Sequence, residues 1–388
     1  MIKRMLKLVK KHSCFLFGPR GVGKSTLVQH VFQDSFSVTF NLLKIEICER
    51  FLRNPDELSQ IVKALPSHIT HVIIDEIQKV PKLLDVIHDL IESTDKYFIM
   101  TGSSARKLKA GGANLLAGRA FVNYLHPFCV FEIEDRFSLE EALQWGMLPK
   151  IIEYPDADLK IRYLQAYAHT YLKEEIWEEH IVKDLEPFRR FLEVAAQMNG
   201  KIINYSNIAQ DVGVDDKTVK NYYTILEDTM IGFFLEGFVH SFRKRLSTKP
   251  KFYFFDCGVT RALARMLSMP LAPSTAAYGE AFEHFIILEC IKLRDEFHSE
   301  YRFSYLKTKD DAEIDLVVER PGQPILFIEI KSTTHVKQEL ISTFIQLTRD
   351  FGECEAICLS DDPIEKMIEH VRIIPWKTGL KRYLGPVS

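Results

Sequence analysis

Roughly the first 150 residues alternate short runs of β-branched and aromatic residues with stretches whose apolar positions recur at helical spacing. The runs Ser13–Phe17, Ser37–Leu42, His71–Asp75, Tyr97–Thr101 and Ala120–Leu125 predict strands. Helical spacers between them predict a parallel α/β sheet, and the mostly apolar strands predict burial on both faces. From Leu159 to about Thr229 the pattern turns helical, and a strand-rich stretch with basic turns follows up to Phe255. At Tyr278 a long apolar helix begins, leading into the strands FSYLKT, AEIDLVVE and ILFIEIKS, then helix and strand again. Pro149 and Pro155 flank the first boundary. The resulting division is 1–155, 156–257 and 258–388. No repeat at solenoid periods and no low-complexity tract interrupts it.

Composition narrows the picture. A chain of 388 residues suits two or three domains, and 46% hydrophobic with 27% charged residues is an ordinary globular balance. No apolar run approaches the roughly 20 residues that span a bilayer, so no membrane partner is expected. The basic start MIKRMLKLVKKHSCFLF runs into a strand and lacks a small-residue cleavage site, so it does not read as a signal peptide. Seven scattered cysteines without a CxxC pair predict reduced thiols and a cytoplasmic protein. A net charge of −3 excludes a globally basic nucleic-acid binder but allows a local basic patch.

Candidate chemistry begins at FLFGPRGVGKSTLVQHVF, an apolar strand, a glycine loop and an amphipathic helix. The loop matches GxxxxGK[ST] in the strand-to-helix context that gives the pattern meaning. Gly18, Gly21 and Gly23 let successive amides turn toward one point, and the helix N-terminus adds its dipole. Gly18, Pro19, Arg20, Gly21, Val22, Gly23, Lys24, Ser25 and Thr26 are therefore expected to line ATP. Lys24 would reach the β- and γ-phosphates, and Ser25 would supply a ligand to Mg2+. In THVIIDEIQKVP an apolar run ends in paired carboxylates: Asp75 for magnesium and Glu76 to polarise the attacking water. The next strand ends in TGSS, where Ser103, with Ser104 beside it, is either a γ-phosphate sensor or a helix N-cap. Arg106 and Arg119 are candidates for a finger acting across a homo-oligomer contact, with plain structural pairing the alternative for Arg119.

GPRGVGKST, IIDEIQKVP, MTGSSARKL, LLAGRA and WGMLP, taken together, resemble a group of bacterial and archaeal AAA-type ATPases with a C-terminal domain of unknown function. The resemblance covers nearly the whole chain. It implies an AAA-type P-loop domain with a parallel sheet, then a helical, winged-helix-like segment and a small α/β restriction-endonuclease-like domain. It also implies that Pro149, in Gly146-Met147-Leu148-Pro149, lies beside adenine. KFYFFDCGVTRAL is similar to the segment joining the last two parts.

Residues support both parts. NYSNIAQDVGVDDKTVKNYYTILEDTMIGFFLEGF reads as helix, turn at Gly213, helix, with Ile208, Ala209 and Val212 facing Val219, Tyr222, Tyr223 and Leu226. Asp215 or Asp216 would cap the second helix, and Lys217, Thr218 and Lys220 would be exposed near its start, where a recognition helix meets DNA. The following FVHSFRKRLSTKPKFYFF reads as a hairpin wing whose Arg243, Lys244, Arg245, Lys249 and Lys251 could contact phosphates. In the last part, Asp315 followed by Glu329-x-Lys331, with Glu283 upstream on a helix and Glu313 as a spare carboxylate, is the PD-(D/E)XK constellation. There Asp315 and Glu329 would hold Mg2+, and Lys331 would orient water or stabilise charge.

Three functions follow from this reading. One is an ATPase acting on DNA, with the winged helix as clamp and the last domain as nuclease. Another is an ATP-driven switch that holds protein partners, its nuclease-like fold inactive; the third is a nucleotide-gated transcriptional regulator. Glu76 favours turnover over the third; Asp315, Glu329 and Lys331 favour the first; acidic Asp211, Asp215 and Asp216 beside the recognition helix favour the second.

Overall fold

In the computed structural model, residues 2–32, 36–104, 116, 118–170, 184–238 and 249–386 are described. They form two compact units. Unit 1 comprises Met1–Phe128, Leu148–Lys150 and Leu226–Ile231; unit 2 comprises Cys129–Met147, Ile151–Ile225 and Gly232–Ser388.

Unit 1 carries strands β1 (Ser13–Phe17), β2 (Ser37–Asn41), β3 (His71–Asp75), β4 (Tyr97–Gly102) and β5 (Ala120–Tyr124). They form one parallel sheet in the order β2-β3-β4-β1-β5. These are the expected runs, to within one residue at each end. The central strands β1, β3 and β4 are almost wholly buried, and the helices Leu83–Ser93, Ile45–Arg53 and Glu57–Lys63 contribute to the same core. Each fully buried Phe or Leu there, such as Phe15, Phe98 or Leu83, contributes roughly 2 kcal/mol of apolar transfer free energy. The edge strands β2 and β5 differ from the expectation of burial on both faces. They are half-exposed, with Phe121, Val122 and Tyr124 open to solvent, because an edge strand has one neighbour and less covering structure.

In β1, pairing with β4 on one side and β5 on the other makes its C-terminal end the point where connections diverge. A crevice opens at such a point in a parallel sheet, and the glycine loop leaves β1 there.

Unit 2 begins with helices, among them Leu139–Trp145, Ala157–Thr170, Leu185–Gln197 and Tyr205–Val212. A helix at Asp216–Asp228 then passes from unit 2 into unit 1. Gly213 ends the Tyr205–Val212 helix in the left-handed region, at φ 81°, which glycine adopts without a Cβ penalty. Ile208, Ala209, Val212, Val219, Tyr222 and Tyr223 are all buried, as their spacing requires. Asp215 provides the cap expected of it or its neighbour, accepting from the Thr218 N–H at 2.8 Å.

Beyond lie β6 (Gly232–Gly237), β7 (Lys251–Phe254), β8 (Arg302–Lys307), β9 (Glu313–Glu319), β10 (Ile325–Lys331), β11 (Cys354–Ser360), β12 (Lys366–Ile368) and β13 (Val371–Pro375). They make one mixed sheet, β12-β13-β11-β10-β9-β8-β6-β7. In it β6 pairs antiparallel with β7 and parallel with β8, so the expected wing strands continue the sheet of the expected last domain. The helix Ala276–Phe297 packs on β10 and is buried through most of its middle, which is why its sequence shows an apolar run rather than one apolar stripe.

Candidate functional site

In the glycine loop Gly21 and Gly23 take φ of 81° and 95°. Gly18 answers a different demand: a Cβ there would lie 2.3 Å from the Leu125 carbonyl oxygen, so only glycine lets the loop pass the end of β5. Gly23, in the left-handed region, caps the helix Lys24–Val31 without a side-chain hydrogen bond. Lys24 is buried, and its Nζ donates to the carbonyls of Gly18 at 2.8 Å and Pro19 at 3.1 Å. The ammonium is thus folded against its own loop.

Strand ends supply the acids. Ser25 Oγ donates to both carboxylate oxygens of Asp75 at 3.1 Å, which unites the loop and the end of β3. Thr101, at the end of β4, donates to Asp75 Oδ1 through its hydroxyl and accepts the Glu76 N–H at 3.2 Å. Hydroxyl and carboxylate oxygens are what magnesium takes, so Ser25 and Asp75 fit that ion. Glu76 sits in the left-handed region at φ 63°. Its Oε2 accepts from Gln78 Nε2 and from Ser103 Oγ at 3.3 Å, while Gln78 Nε2 also donates to Ser103 Oγ at 3.0 Å. Ser104 Oγ donates to the Asp228 carbonyl at 3.2 Å.

Pro149 lies against the loop, its Cγ 4.0 Å from where a Gly23 Cβ would be. Arg119 pairs with Glu92, the structural alternative foreseen for it. Arg106 lies outside the described residues. Thr101 and Gln78 were not singled out in the sequence, although both stand within the quoted strand ends, in IMTGSS and IIDEIQK.

Unit 2 gathers a second polar cluster. Asp315 Oδ2 accepts the Ile330 N–H at 2.7 Å, and Lys331 Nζ pairs with Glu329 Oε1 at 2.6 Å. On the facing side Tyr253 donates to Glu283 Oε1 at 2.8 Å, and Lys251 Nζ pairs with Glu313 and lies 3.7 Å from Glu283. Burial, followed by the neighbouring Asp315, pushes the Glu283 carboxyl up to about 7. Burial raises Asp315, with Glu329 adding to it, and burial raises Glu329 too, against the pull of Lys331. Glu329 Oε2 is buried without a hydrogen-bond partner. That acceptor suits a cation, but its companions are engaged by protein donors. Among the described residues, no three His, Cys, Asp or Glu side chains are grouped closely enough to hold a metal ion.

Lys251 corrects the sequence reading. It was expected on the exposed wing, yet it is 3% exposed, because β7 lies in the sheet and turns its ammonium onto Glu283 and Glu313. Lys217, Lys220 and Lys249 are exposed. Arg243, Lys244 and Arg245 lie outside the described residues. Among the described residues no helix is long and apolar enough to cross a membrane.

Comparison with known proteins matches residues 10–134 to a family model described as an AAA domain, which supports a P-loop AAA-type ATPase in this part of the chain. Residues 136–269 and 278–378 match two models described as domains of unknown function, DUF8612 and DUF4143. The chain is similar to an uncharacterized protein of Mycobacterium tuberculosis, 24% identical over 86% of this chain and 73% of the relative. It is also similar to an uncharacterized protein of Methanocaldococcus jannaschii, 23% identical over 95% of this chain and 84% of the relative. A solved structure, the Orc1 protein of Aeropyrum pernix in complex with DNA, aligns with 66% of this chain and 87% of its own at 13% identity and a TM-score of 0.26. That score is too low to inform fold or function.

Proposed function

We propose that the chain is a magnesium-dependent ATPase whose turnover drives changes in unit 2. One observation carries the reading: Ser25, Asp75, Glu76 and Ser103 converge from the glycine loop and two adjacent strand ends. Residues 18–26 would hold the phosphates through loop amides and Lys24, with Pro149 beside the base. Magnesium bound by Ser25 and Asp75 would offset negative charge on the phosphates. Glu76 is the carboxylate that would take the proton of the attacking water, and Ser103 would report the γ-phosphate. Arg119 would serve as a finger only by leaving Glu92 for a second copy of the chain.

Purified protein with magnesium and ATP tests this. Lys24→Ala should lose nucleotide binding, while Glu76→Gln should keep binding and lose at least 10²-fold in turnover. Equal turnover in Glu76→Gln and the unsubstituted protein would remove Glu76 as the base.

A second reading concerns the output. Exposed Lys217 and Lys220, near the start of the second helix of a helix–turn–helix, support DNA as the partner of unit 2. Phosphodiester cleavage is the finer form of this reading. Only the orphaned Glu329 Oε2 beside Lys331 favours it, since the neighbouring carboxylates are engaged by protein donors and, among the described residues, are not grouped to hold a metal ion. Incubation with linear, branched and single-stranded DNA in magnesium or manganese tests cleavage; product formation undiminished by Lys331→Ala would exclude this site. If no DNA is bound, the switch acting on protein partners is the reading that stands.

A further inference from the structure

We infer that Gln78 is a positioning residue of the hydrolytic site: its amide nitrogen joins the base Glu76 to the sensor Ser103. The inference rests on the ATPase reading above and deepens it.

Three observations support it. Gln78 Nε2 donates both to Glu76 Oε2 and to Ser103 Oγ, 3.0 Å away, so one amide group spends its two N–H bonds on the two residues that must act together. Its side chain is 4% exposed, and its carbonyl oxygen is buried without a donor. A residue kept only for packing would be apolar or matched at both ends; a buried amide matched only through its nitrogen is held for what that nitrogen does. Space is reserved for it as well. A Cβ on Gly102, the last residue of β4, would come within 2.9 Å of Gln78 Oε1.

Local backbone explains how a residue two positions beyond the base turns back to it. Glu76 in the left-handed region begins the short 3-10 turn Ile77–Lys79, which brings the Glu76 and Gln78 side chains to the same point. Ile77 points away into the apolar core of unit 1 and fixes the turn from behind. Glu76 Oε2 thus takes two donors, leaving Oε1 to receive a proton.

Gln78→Met keeps length and volume but has no donor, and Gln78→Glu keeps the shape while setting a second carboxylate against Glu76. Steady-state ATP hydrolysis and titration of a fluorescent ATP analogue would be measured for both. We expect kcat to fall about tenfold or more in each, with nucleotide affinity within about twofold, because the interaction lies off the phosphate-binding loop. Adding Ser103→Ala to Gln78→Met should cost less than the product of the two single losses, since the residues act as one unit. Turnover within twofold of the unsubstituted protein in both variants overturns the inference. Parallel loss of affinity and of nucleotide-induced thermal stabilisation overturns it too, by making the role structural. If the unsubstituted protein has no ATP turnover while binding nucleotide, the hydrolysis reading itself fails and the inference falls with it.

Discussion

Asp256 illustrates what one buried side chain can fix. It caps the helix Cys257–Leu263 by accepting the Val259 N–H at 3.0 Å, and it accepts the Met147 N–H at 2.7 Å. Burial raises its carboxyl while those two amides pull it down. Gly146 permits the arrangement, because a Cβ there would lie 2.0 Å from Asp256 Oδ1. Asp256→Ala strands both amides, so it should destabilise unit 2 by about 1–3 kcal/mol in urea denaturation. The sequence offered Gly146 only as part of a nucleotide-side motif; its partner stands 110 residues away, and nothing in the spacing ties the two. Glu283 yields a pH prediction. Its folded pKa of about 7 exceeds its ordinary value of 4.5, so between these values the folded chain holds a proton that the unfolded chain has released. Stability from this group is therefore present at low pH and lost as pH rises through 7. His284, lowered to about 4 by burial, works with the opposite sign in the same range, so the comparison must be between proteins. Without divalent cations, the unsubstituted protein should lose more thermal stability from pH 5 to pH 7.5 than Glu283→Gln does; equal losses would refute the assignment.

Elements were legible where their signal was local. The five strands of unit 1 could be read to within a residue because each is a short apolar run bounded by turn chemistry, and buried parallel strands leave that mark. The glycine loop could be read because phosphate cradles demand glycine at fixed spacing. Lys251 could not. A lysine on a strand beside a basic stretch looks like a wing residue, and only pairing β6 with β8 reveals that β7 borders the acidic cluster. Gln78 was hidden for a related reason: its partner Ser103 is 25 residues on, at the end of another strand. An element-scale test follows from Gly18, which lets the loop pass β5. Gly18→Ala should displace the loop from Leu125, lowering ATP affinity at least tenfold while the rest of unit 1 stays folded. A titration showing unchanged affinity would mean that the carbonyl can retreat.

For the whole chain, the open question is whether ATP in unit 1 changes what unit 2 binds, and charge gives the means to ask it. Net charge is −3, so any DNA affinity must come from local lysines and arginines. Lys217 and Lys220 are exposed near the start of one helix, with Asp211, Asp215 and Asp216 close by in sequence, whereas Lys251 is neutralised by Glu283 and Glu313. If DNA binds through the helix, Lys217→Glu/Lys220→Glu should weaken it about tenfold or more and flatten the dependence of log affinity on log salt, since each lost phosphate contact removes a counterion from the exchange. Lys251→Met should leave that slope unchanged and instead lower the stability of unit 2, by removing the counter-charge to two carboxylates. Repeating the titration with ATP in Glu76→Gln, which should hold nucleotide without consuming it, then isolates the coupling. A bound-ATP state that shifts DNA affinity by a factor α must have its own ATP affinity shifted by the same factor when DNA is added. Agreement between the two factors would tie the units into one device. A shift in one without the other would show that the two titrations report different events.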